Sequence, residues 1–187
     1  MPKLPRWRQT LLLTPLSVVL LACQGESTEH ASGAQGNTPA TQTTISANAK
    51  LSAQLHLHDQ QDFNDATRGL IAAPSSLQVA GPGNSPVWDM PAFAFVQGAA
   101  PDTINPSLWR QATLNNNHGL YKVTDGVYQL RGFDISNMSL IEGHTGWIVV
   151  DPLTTRETAT AAIAFAREHL GNKPVSAVIF THSHIDH

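Results

Sequence analysis

Three histidines and one aspartate fall within six consecutive residues at positions 182–187, in the pattern His-x-His-x-Asp-His. They directly follow residues 175–180, an apolar run that is typical of a buried β-strand. Ligands commonly bind at the carboxyl ends of such strands, and imidazole and carboxylate groups suit Zn²⁺ and related divalent ions. We therefore predict a metal site built from four side chains: His182, His184, Asp186 and His187.

The spacing of these four side chains divides them into two pairs. His182 and His184 can point to the same side at the end of the strand. Asp186 and His187 lie one turn further on and can face a second ion. Two ions about 3.5–4 Å apart can activate a water molecule and stabilise a leaving oxygen. The alternative is that the histidines are incidental residues of a polar loop.

A strand, a helix and a second strand precede the motif and would position it. Residues 147–150 form an uninterrupted apolar run, as expected of a strand that is buried on both faces. Thr154 as N-cap and Glu157 three residues later predict a capping box at the start of the helix. An apolar stripe with helical periodicity follows at Ala159, Ala162, Ile163, Ala166 and Leu170. Together with the strand at 175–180, these elements predict a right-handed βαβ unit and hence an α/β fold.

Shorter elements are predicted upstream of the βαβ unit. Strands at 120–123 and 127–130 flank an Asp-Gly turn that is typical of a hairpin, and a third short strand follows at 138–141. We assign residues 118–187 to the first part of a catalytic domain, which is truncated at the metal motif. Residues 51–117 contain six prolines between positions 74 and 106, and we predict that they form an N-terminal arm packing on that domain.

Four other polar residues are predicted to have local structural roles. Asn105 is expected to cap a helix that begins at Pro106. Asp134 and Asn137 are expected in a turn, although both could approach the metal site. His144 is expected in the turn of a hairpin.

The first 23 residues resemble a lipoprotein-type signal peptide. A basic stretch precedes an apolar run at 11–21 that is too short to span a bilayer, and the Leu-Leu-Ala-Cys sequence at 20–23 resembles a bacterial lipobox. This resemblance implies lipidation of Cys23 and an exported protein that is anchored to the outer membrane and faces the periplasm. An ordinary secretory signal with an incidental cysteine is the alternative. Residues 24–50, rich in small polar residues, are predicted to form a flexible linker.

The composition excludes several classes of protein. The chain has 187 residues, of which 41% are hydrophobic and 13% charged, so it is too apolar to be disordered throughout. A net charge of −3 argues against nucleic-acid binding through a basic face, and we expect no nucleic-acid partner. The single cysteine excludes a disulfide framework and a cysteine-rich zinc finger.

The metal motif after a hydrophobic strand resembles that of the metallo-β-lactamase superfamily. Three upstream segments, at 102–111, 128–138 and 146–153, are similar to the alkyl sulfatase branch of that superfamily. The resemblance extends over about residues 60–187 and implies an αβ/βα sandwich of which only the first part is present. It also implies that the full-length protein hydrolyses alkyl sulfate esters, such as dodecyl sulfate, to alcohol and sulfate.

The same resemblance implies a role for each residue of the metal motif. His182 and His184 would hold one zinc ion of the full-length protein. Asp186 and His187 would hold a second, and Asp186 would also be catalytic because it borders the water that bridges the two ions. Further metal ligands, a general acid and sulfate-binding residues are expected downstream, in a protein that is a homodimer when full length. We therefore expect this sequence to be a fragment that is neither stably folded nor active by itself.

Two alternative functions remain open. The first is another hydrolase with the metallo-β-lactamase fold, of the lactamase or thioesterase type, because a fold does not determine a function. The second is a non-catalytic lipoprotein, if the chain truly ends at residue 187. Assays with dodecyl sulfate and with a β-lactam would separate the hydrolases, whereas a metal content well below one ion per chain would favour the lipoprotein.

Overall fold

A computed structural model describes residues 38–83 and 85–187 of the chain. The predicted signal peptide at 1–23, its Cys23 and residues 24–37 of the predicted linker lie outside the described residues. Within the described ranges, no helix is both long enough and apolar enough to span a membrane. The elements in chain order are α1 (Gln42–Gln54), α2 (Gln61–Thr67), β1 (Leu70–Ala72), β2 (Gln78–Ala80), β3 (Pro86–Asp89), a 3₁₀-helix (Met90–Phe93), α3 (Pro106–Asn115), β4 (Gly119–Thr124), β5 (Val127–Arg131), β6 (Met138–Glu142), β7 (Trp147–Val150), α4 (Arg156–Leu170) and β8 (Val175–Ile179).

In the part of the chain that the structure describes, the main sheet has six strands in the order β1-β4-β5-β6-β7-β8. Neighbouring strands are antiparallel from β1 through β7, whereas β7 and β8 are parallel. The predicted hairpin is confirmed as β4 and β5, and the predicted strand–helix–strand unit is confirmed as β7, α4 and β8. Because of these directions, the carboxyl ends of β7 and β8 lie at the same edge of the sheet as the loop between β5 and β6.

The core lies where the main sheet meets helix α4. Leu120, Leu130 and Leu140, on three adjacent strands, are fully buried and belong to one apolar cluster. Ala162 and Ala166 of α4 are buried in the same cluster, and their small side chains allow close approach of the helix to the sheet. The apolar stripe predicted for this helix therefore faces the core.

Removing a side chain from this cluster is expected to lower the stability of the protein substantially. In the full-length protein, we expect Leu130→Ala to reduce the free energy of unfolding by about 2–5 kcal/mol, because the side chain is fully buried on a central strand and a cavity would remain. Val123→Ala is the matched control, since Val123 is exposed near the end of β4, and it should cost less than about 1 kcal/mol. Denaturant unfolding of both variants measures the difference, and equal midpoints would contradict the assignment of the core.

The start of α4 differs from the sequence prediction by one residue. The N-cap is Thr155, whose hydroxyl accepts a hydrogen bond from the backbone N–H of Thr158, while the Thr158 hydroxyl accepts one from the backbone N–H of Thr155. The predicted capping box of Thr154 and Glu157 is therefore wrong. Thr154 does not cap the helix because its backbone N–H and its hydroxyl both donate to the carboxylate of Asp134, which lies outside the helix.

Strand β8 is more exposed than the sequence predicts. All five residues of Val175–Ile179 are exposed, whereas a buried strand was expected from their apolar run. The exposed fractions are 46% for Val178, 49% for Ile179 and 62% for Phe180. Since β8 lies at the edge of the described sheet and pairs only with β7, it has no neighbour on its other side there. Strand β7 has a neighbour on each side but is also less buried than predicted, since Trp147 and Val149 are buried whereas Ile148 and Val150 are partly exposed.

Helix α1 corrects the predicted extent of the linker. Residues 42–50 lie in this helix, so the prediction of a flexible linker is wrong for them. Thr41 caps the helix through its hydroxyl, and the side-chain amide of Asn48 donates to the carbonyls of Asp102 and Ile104, at 2.9 and 3.2 Å. The helix has no fully buried residue, and the hydrogen bonds of Asn48 connect it to the segment that precedes α3.

Helix α3 begins as predicted. Asn105 is its N-cap, and the side-chain oxygen of Asn105 accepts hydrogen bonds from the backbone N–H groups of Ser107 and Leu108. Pro106 occupies the first helical position, where its missing N–H costs nothing. The cap therefore fixes where this helix begins.

Candidate metal centre

The four predicted ligands lie in the loop that directly follows β8. The first pair is His182 and His184, whose rings lie with their centroids 4.7 Å apart. The Nε2 atom of His182 lies 3.1 Å from the Nδ1 atom of His184, so these two nitrogen atoms face each other. The strand end therefore brings the first two predicted ligands together.

The second pair is Asp186 and His187. The Nε2 atom of His187 lies 3.4 Å from the Oδ2 atom of Asp186. The His187 ring also lies against the His182 ring, with centroids 4.1 Å apart, so the two pairs are neighbours. The loop thus gathers all four predicted side chains at the edge of the sheet where β7 and β8 end.

The distance between the two donor atoms of each pair can be compared with the distance between two ligand atoms on one zinc ion. Two nitrogen or oxygen ligands, each about 2.0–2.1 Å from a tetrahedral zinc ion, lie about 3.4 Å from each other. The separations of 3.1 and 3.4 Å fit two adjacent positions on one ion. Among residues 38–83 and 85–187, no group of three or more histidine, cysteine, aspartate or glutamate side chains is placed to hold an ion. The donors therefore fit zinc in pairs, and the assignment of the ligands remains a prediction.

Asp151 is the residue that joins the two pairs, and the sequence analysis did not identify it. Its carboxylate accepts hydrogen bonds from the backbone N–H of Thr181 at 2.8 Å and from the Thr181 hydroxyl at 2.9 Å. The Nδ1 atom of His187 lies 3.1 Å from the same carboxylate. Asp151 directly follows β7, and a polar residue at the end of a strand parallel to β8 was the signal that could have identified it.

The backbone of Asp151 is unusual for a residue other than glycine. Its φ angle is +56°, in the left-handed region, and that of Leu153 is +74°. Aspartate tolerates this region better than most residues, although it still costs free energy there. Such conformations persist only where the surroundings hold them in place, here through the contacts with Thr181 and His187.

The pKa of the Asp151 carboxyl is lowered by its hydrogen bonds. Burial alone raises this pKa, but the hydrogen bonds from Thr181 and His187 outweigh burial, and the net shift is below the ordinary value of 3.8. The group is therefore ionised at neutral pH. Because the pKa is lowered by folding, its contribution to stability is complete above a pH of about 3.8 and is lost as the pH falls through the lowered pKa.

The loop of residues 132–137 connects the metal motif to the rest of the domain. The hydroxyl of Ser136 donates to the backbone carbonyl of Asp186. Asp134 is buried and accepts hydrogen bonds from the hydroxyls of Thr154 and Thr158, at 2.8 and 2.7 Å, which fixes the loop to the start of α4. Asp134 thus has the structural role that its sequence position predicts.

Comparison with known proteins gives the family. Residues 131–187 match the sequence profile described as the Metallo-beta-lactamase superfamily. The chain is 49% identical over 146 residues to an alkyl/aryl-sulfatase of Saccharomyces cerevisiae, covering 78% of this chain and 23% of that protein. It is 46% identical over 151 residues to a linear primary-alkylsulfatase of Pseudomonas sp., covering 80% of this chain and 22% of that protein. The chain belongs to the alkylsulfatase-like branch of the metallo-β-lactamase superfamily.

A solved structure confirms the fold of this alkylsulfatase-like domain. The stereoselective inverting sec-alkylsulfatase of Pseudomonas sp. superposes with a TM-score of 0.76 at 46% sequence identity, over 83% of this chain and 24% of that one. The predicted mixed α/β metallo-β-lactamase fold is therefore confirmed for the part present. The chain spans 22–24% of the length of these relatives, which agrees with the expectation that it is an N-terminal fragment.

In this alkylsulfatase-like domain, we expect Asp151→Asn to weaken zinc binding by the full-length protein about 10- to 100-fold. Asparagine tolerates the left-handed backbone, so the substitution removes the charge and an acceptor while it preserves the conformation. Asp125→Asn is the matched control, since Asp125 is exposed in the hairpin turn and its substitution should leave zinc affinity unchanged. Competition for zinc with a chromophoric chelator measures both, and an unaltered affinity in Asp151→Asn would refute the role of Asp151.

Proposed function

We propose that the chain is the N-terminal part of a zinc-dependent alkyl sulfatase, which hydrolyses alkyl sulfate esters such as dodecyl sulfate to an alcohol and inorganic sulfate. The observation that supports this most directly is the two donor pairs after β8, in a chain 46–49% identical to an alkyl/aryl-sulfatase and a linear primary-alkylsulfatase. Because the chain spans 22–23% of those two proteins, the activity is proposed for the full-length protein.

The donor set fits two zinc ions in the full-length protein. His182 and His184 would hold one ion, and Asp186 with His187 would hold the other. Bound zinc lowers the pKa of a coordinated water molecule to near neutrality, which supplies a nucleophile for ester hydrolysis. Two donors per ion leave further positions to be filled by groups outside the described residues or by water.

Asp151 determines the orientation of two of the histidine rings, those of His182 and His187. An ionised carboxylate only accepts hydrogen bonds, so the single hydroxyl hydrogen of Thr181 is donated to Asp151. The Thr181 oxygen can then only accept from the Nδ1 atom of His182, which lies 2.9 Å away. His182 therefore carries its proton on Nδ1 and presents the free electron pair of Nε2 to the site.

His187 is oriented by the same carboxylate without an intermediary. Its Nδ1 atom donates to Asp151 at 3.1 Å, so that its Nε2 atom faces Asp186. One buried carboxylate thus fixes the tautomers of two rings, one directly and one through a threonine. The chain holds these rings in the form that binds a metal ion, which is what a hydrolytic centre requires of its supporting residues.

The proposal is tested on the full-length protein purified with zinc. With dodecyl sulfate, one sulfate and one dodecanol should appear per ester hydrolysed, and activity should disappear with a chelator and return with zinc. A β-lactam and a thioester are the comparison substrates. Hydrolysis of either of these without sulfate release would refute the proposal in favour of another hydrolase of the same fold. A metal content well below one ion per chain, with no ester hydrolysis, would instead favour a non-catalytic lipoprotein.

We also propose that the full-length protein is exported, anchored by a lipid on Cys23 to the outer membrane, and homodimeric. The export and the anchor are supported by the basic and apolar sequence at 1–23 and its resemblance to a lipobox, whereas the dimer is proposed from the resemblance to the alkyl sulfatase branch alone. Metabolic labelling with a radioactive fatty acid should mark the protein, and Cys23→Ser should lose the label and move the protein from the membrane to the soluble periplasmic fraction. An unlabelled wild-type protein would contradict the anchor, and a monomeric mass in solution would contradict the dimer.

A further inference from the structure

The loop that carries the metal motif has few hydrogen bonds of its own. Within residues 181–187 of the described structure, one hydrogen bond joins two backbone groups, from the N–H of His187 to the carbonyl of His184 at 3.2 Å. Residues 181–185 are exposed, and Ile185 is 81% exposed. A segment with so few buried contacts opens easily unless other parts of the fold hold it. The placement of the four predicted ligands therefore depends on contacts from outside this loop.

Two contacts from neighbouring elements hold the loop at different points. Asp151, which follows β7, accepts a hydrogen bond from the backbone N–H of Thr181 and binds the ring of His187. Ser136, in the loop between β5 and β6, donates its hydroxyl hydrogen to the backbone carbonyl of Asp186. Asp151 thus acts at the two ends of the motif, whereas Ser136 restrains the main chain at Asp186.

The hydroxyl of Ser136 is a buried polar group. Ser136 is 8% exposed, and a hydroxyl at such a position needs a hydrogen-bond partner inside the protein. Because a serine hydroxyl has a single hydrogen to donate, its contact with the carbonyl of Asp186 determines where that hydrogen points. Without this hydroxyl, the carbonyl of Asp186 would lose a donor that joins the motif to the rest of the sheet edge.

The loop of residues 132–137, which carries Ser136, is itself firmly attached to helix α4. Phe133 is buried, and the centroid of its ring lies 5.5 Å from that of Phe165 on the helix. Asp134 is also buried and accepts the hydrogen bond from the Thr158 hydroxyl at 2.7 Å. Ser136 therefore connects an exposed loop to a well-packed part of the domain, which is what a residue that orients metal ligands requires.

We propose that Ser136 is a positioning residue of the metal centre. Its hydroxyl fixes the main chain of Asp186, so that Asp186 and His187 present their donor atoms, 3.4 Å apart, to the same zinc ion. Ser136 acts through Asp186 and does not bind the ion itself. This inference rests on the proposed function, because it takes Asp186 and His187 as ligands of the second ion.

Removing the hydroxyl should therefore change zinc binding and turnover. In the full-length protein, Ser136→Ala is expected to weaken zinc binding about 10- to 100-fold, the usual loss when an outer hydrogen bond to a ligand is removed. At saturating zinc, kcat for dodecyl sulfate should fall at least about tenfold, since a small displacement of reacting groups is costly. KM should change less than about twofold, because Ser136 acts on the zinc ligand rather than on the substrate. Hydrogen exchange, followed by mass spectrometry on the zinc-loaded protein, should be faster over residues 181–187.

Two further variants separate positioning from a merely structural role. Ser139→Ala is the matched control, since Ser139 is half-buried in β6 and its hydroxyl accepts a hydrogen bond from the side-chain amide of Gln129 at 3.3 Å. This variant loses a hydroxyl that does not contact the metal motif, so zinc affinity and kcat should stay unchanged. Ser136→Thr keeps the hydroxyl and should bind zinc within about threefold of the wild type.

Zinc affinity is measured without substrate, by competition with a chelator, which separates this inference from the proposed activity. If the wild type binds zinc but releases no sulfate, the activity is refuted, and weaker zinc binding by Ser136→Ala would still sustain the role of Ser136. Unchanged zinc affinity in Ser136→Ala would overturn that role. Equal losses in Ser136→Ala and Ser139→Ala, or in Ser136→Ala and Ser136→Thr, would overturn it as well. A wild type that binds no zinc would refute both the positioning role and the proposed function.

Discussion

Replacing His184 by alanine in the full-length protein is expected to lower kcat/KM for dodecyl sulfate by at least about 10³-fold. The physical reason is the loss of a donor that faces His182 at 3.1 Å, a separation that suits two ligands on one zinc ion. Activation of water and stabilisation of the leaving oxygen by a metal ion contribute several kcal/mol, and each 1.36 kcal/mol corresponds to about a factor of ten in rate. Steady-state sulfate release and zinc content per chain are measured together.

His144→Ala is the control for this experiment. His144 is exposed in the turn between β6 and β7, where the sequence predicts it, and it lies outside the metal motif. Its substitution should change activity less than about twofold, as is usual for an exposed residue remote from a site. If His184→Ala retained more than a tenth of the activity with an undiminished zinc content, His184 would not be a ligand. The proposal that His182 and His184 together bind one zinc ion would then be refuted.

Elements whose signals are local were predictable from the sequence. The hairpin of β4 and β5 follows from one Asp-Gly turn between two apolar runs, and the cap at Asn105 follows from the next residue being proline. The metal motif was predictable for the same reason, because its four side chains lie within six consecutive residues after an apolar strand. None of these predictions required knowledge of which residues meet across the fold.

Features that depend on distant partners were not predictable. Asp151 is a site residue only because β7 and β8 are parallel neighbours, which brings it to Thr181 and His187, 30 and 36 positions away. The capping box moved by one residue because Thr154 is bound by Asp134, 20 positions upstream. In each case a local pattern was correct in kind, and a contact with a remote side chain decided which residue took the role.

Two further predictions were wrong: the burial of β8, and the flexible linker over residues 42–50, which form part of helix α1. The apolar run of β8 predicts burial, but burial depends on what lies beside a strand, and in the described sheet β8 has only β7. Helix α1 lacks an apolar stripe, although the alanines and glutamines within it favour helix formation. Asn48 of this helix contacts two distant carbonyls, and such contacts are not revealed by composition alone.

By itself, the 187-residue chain is expected to release no sulfate and to lack a cooperative unfolding transition. Its described residues offer zinc two donors at each position, whereas zinc sites in enzymes use three protein ligands. The apolar side chains of β8 are also exposed, and an exposed apolar strand at a sheet edge favours association with other chains. Light scattering, calorimetry and sulfate release from purified chain and full-length protein, side by side, measure the difference.

A double substitution, at Val178 in β8 and at Phe180 directly after it, separates the effect of the exposed strand from a general instability of the chain. Val178→Thr with Phe180→Ser should reduce aggregation of the isolated chain, because it removes apolar surface from water. In the full-length protein the same pair should lower the free energy of unfolding by about 1–3 kcal/mol, since buried hydroxyls without partners are costly. A benefit to the isolated chain together with a loss of stability in the full-length protein is expected only if further sequence covers this strand. A wild-type isolated chain that stays monomeric, unfolds cooperatively and releases sulfate would show instead that the metal motif and the strand need no covering.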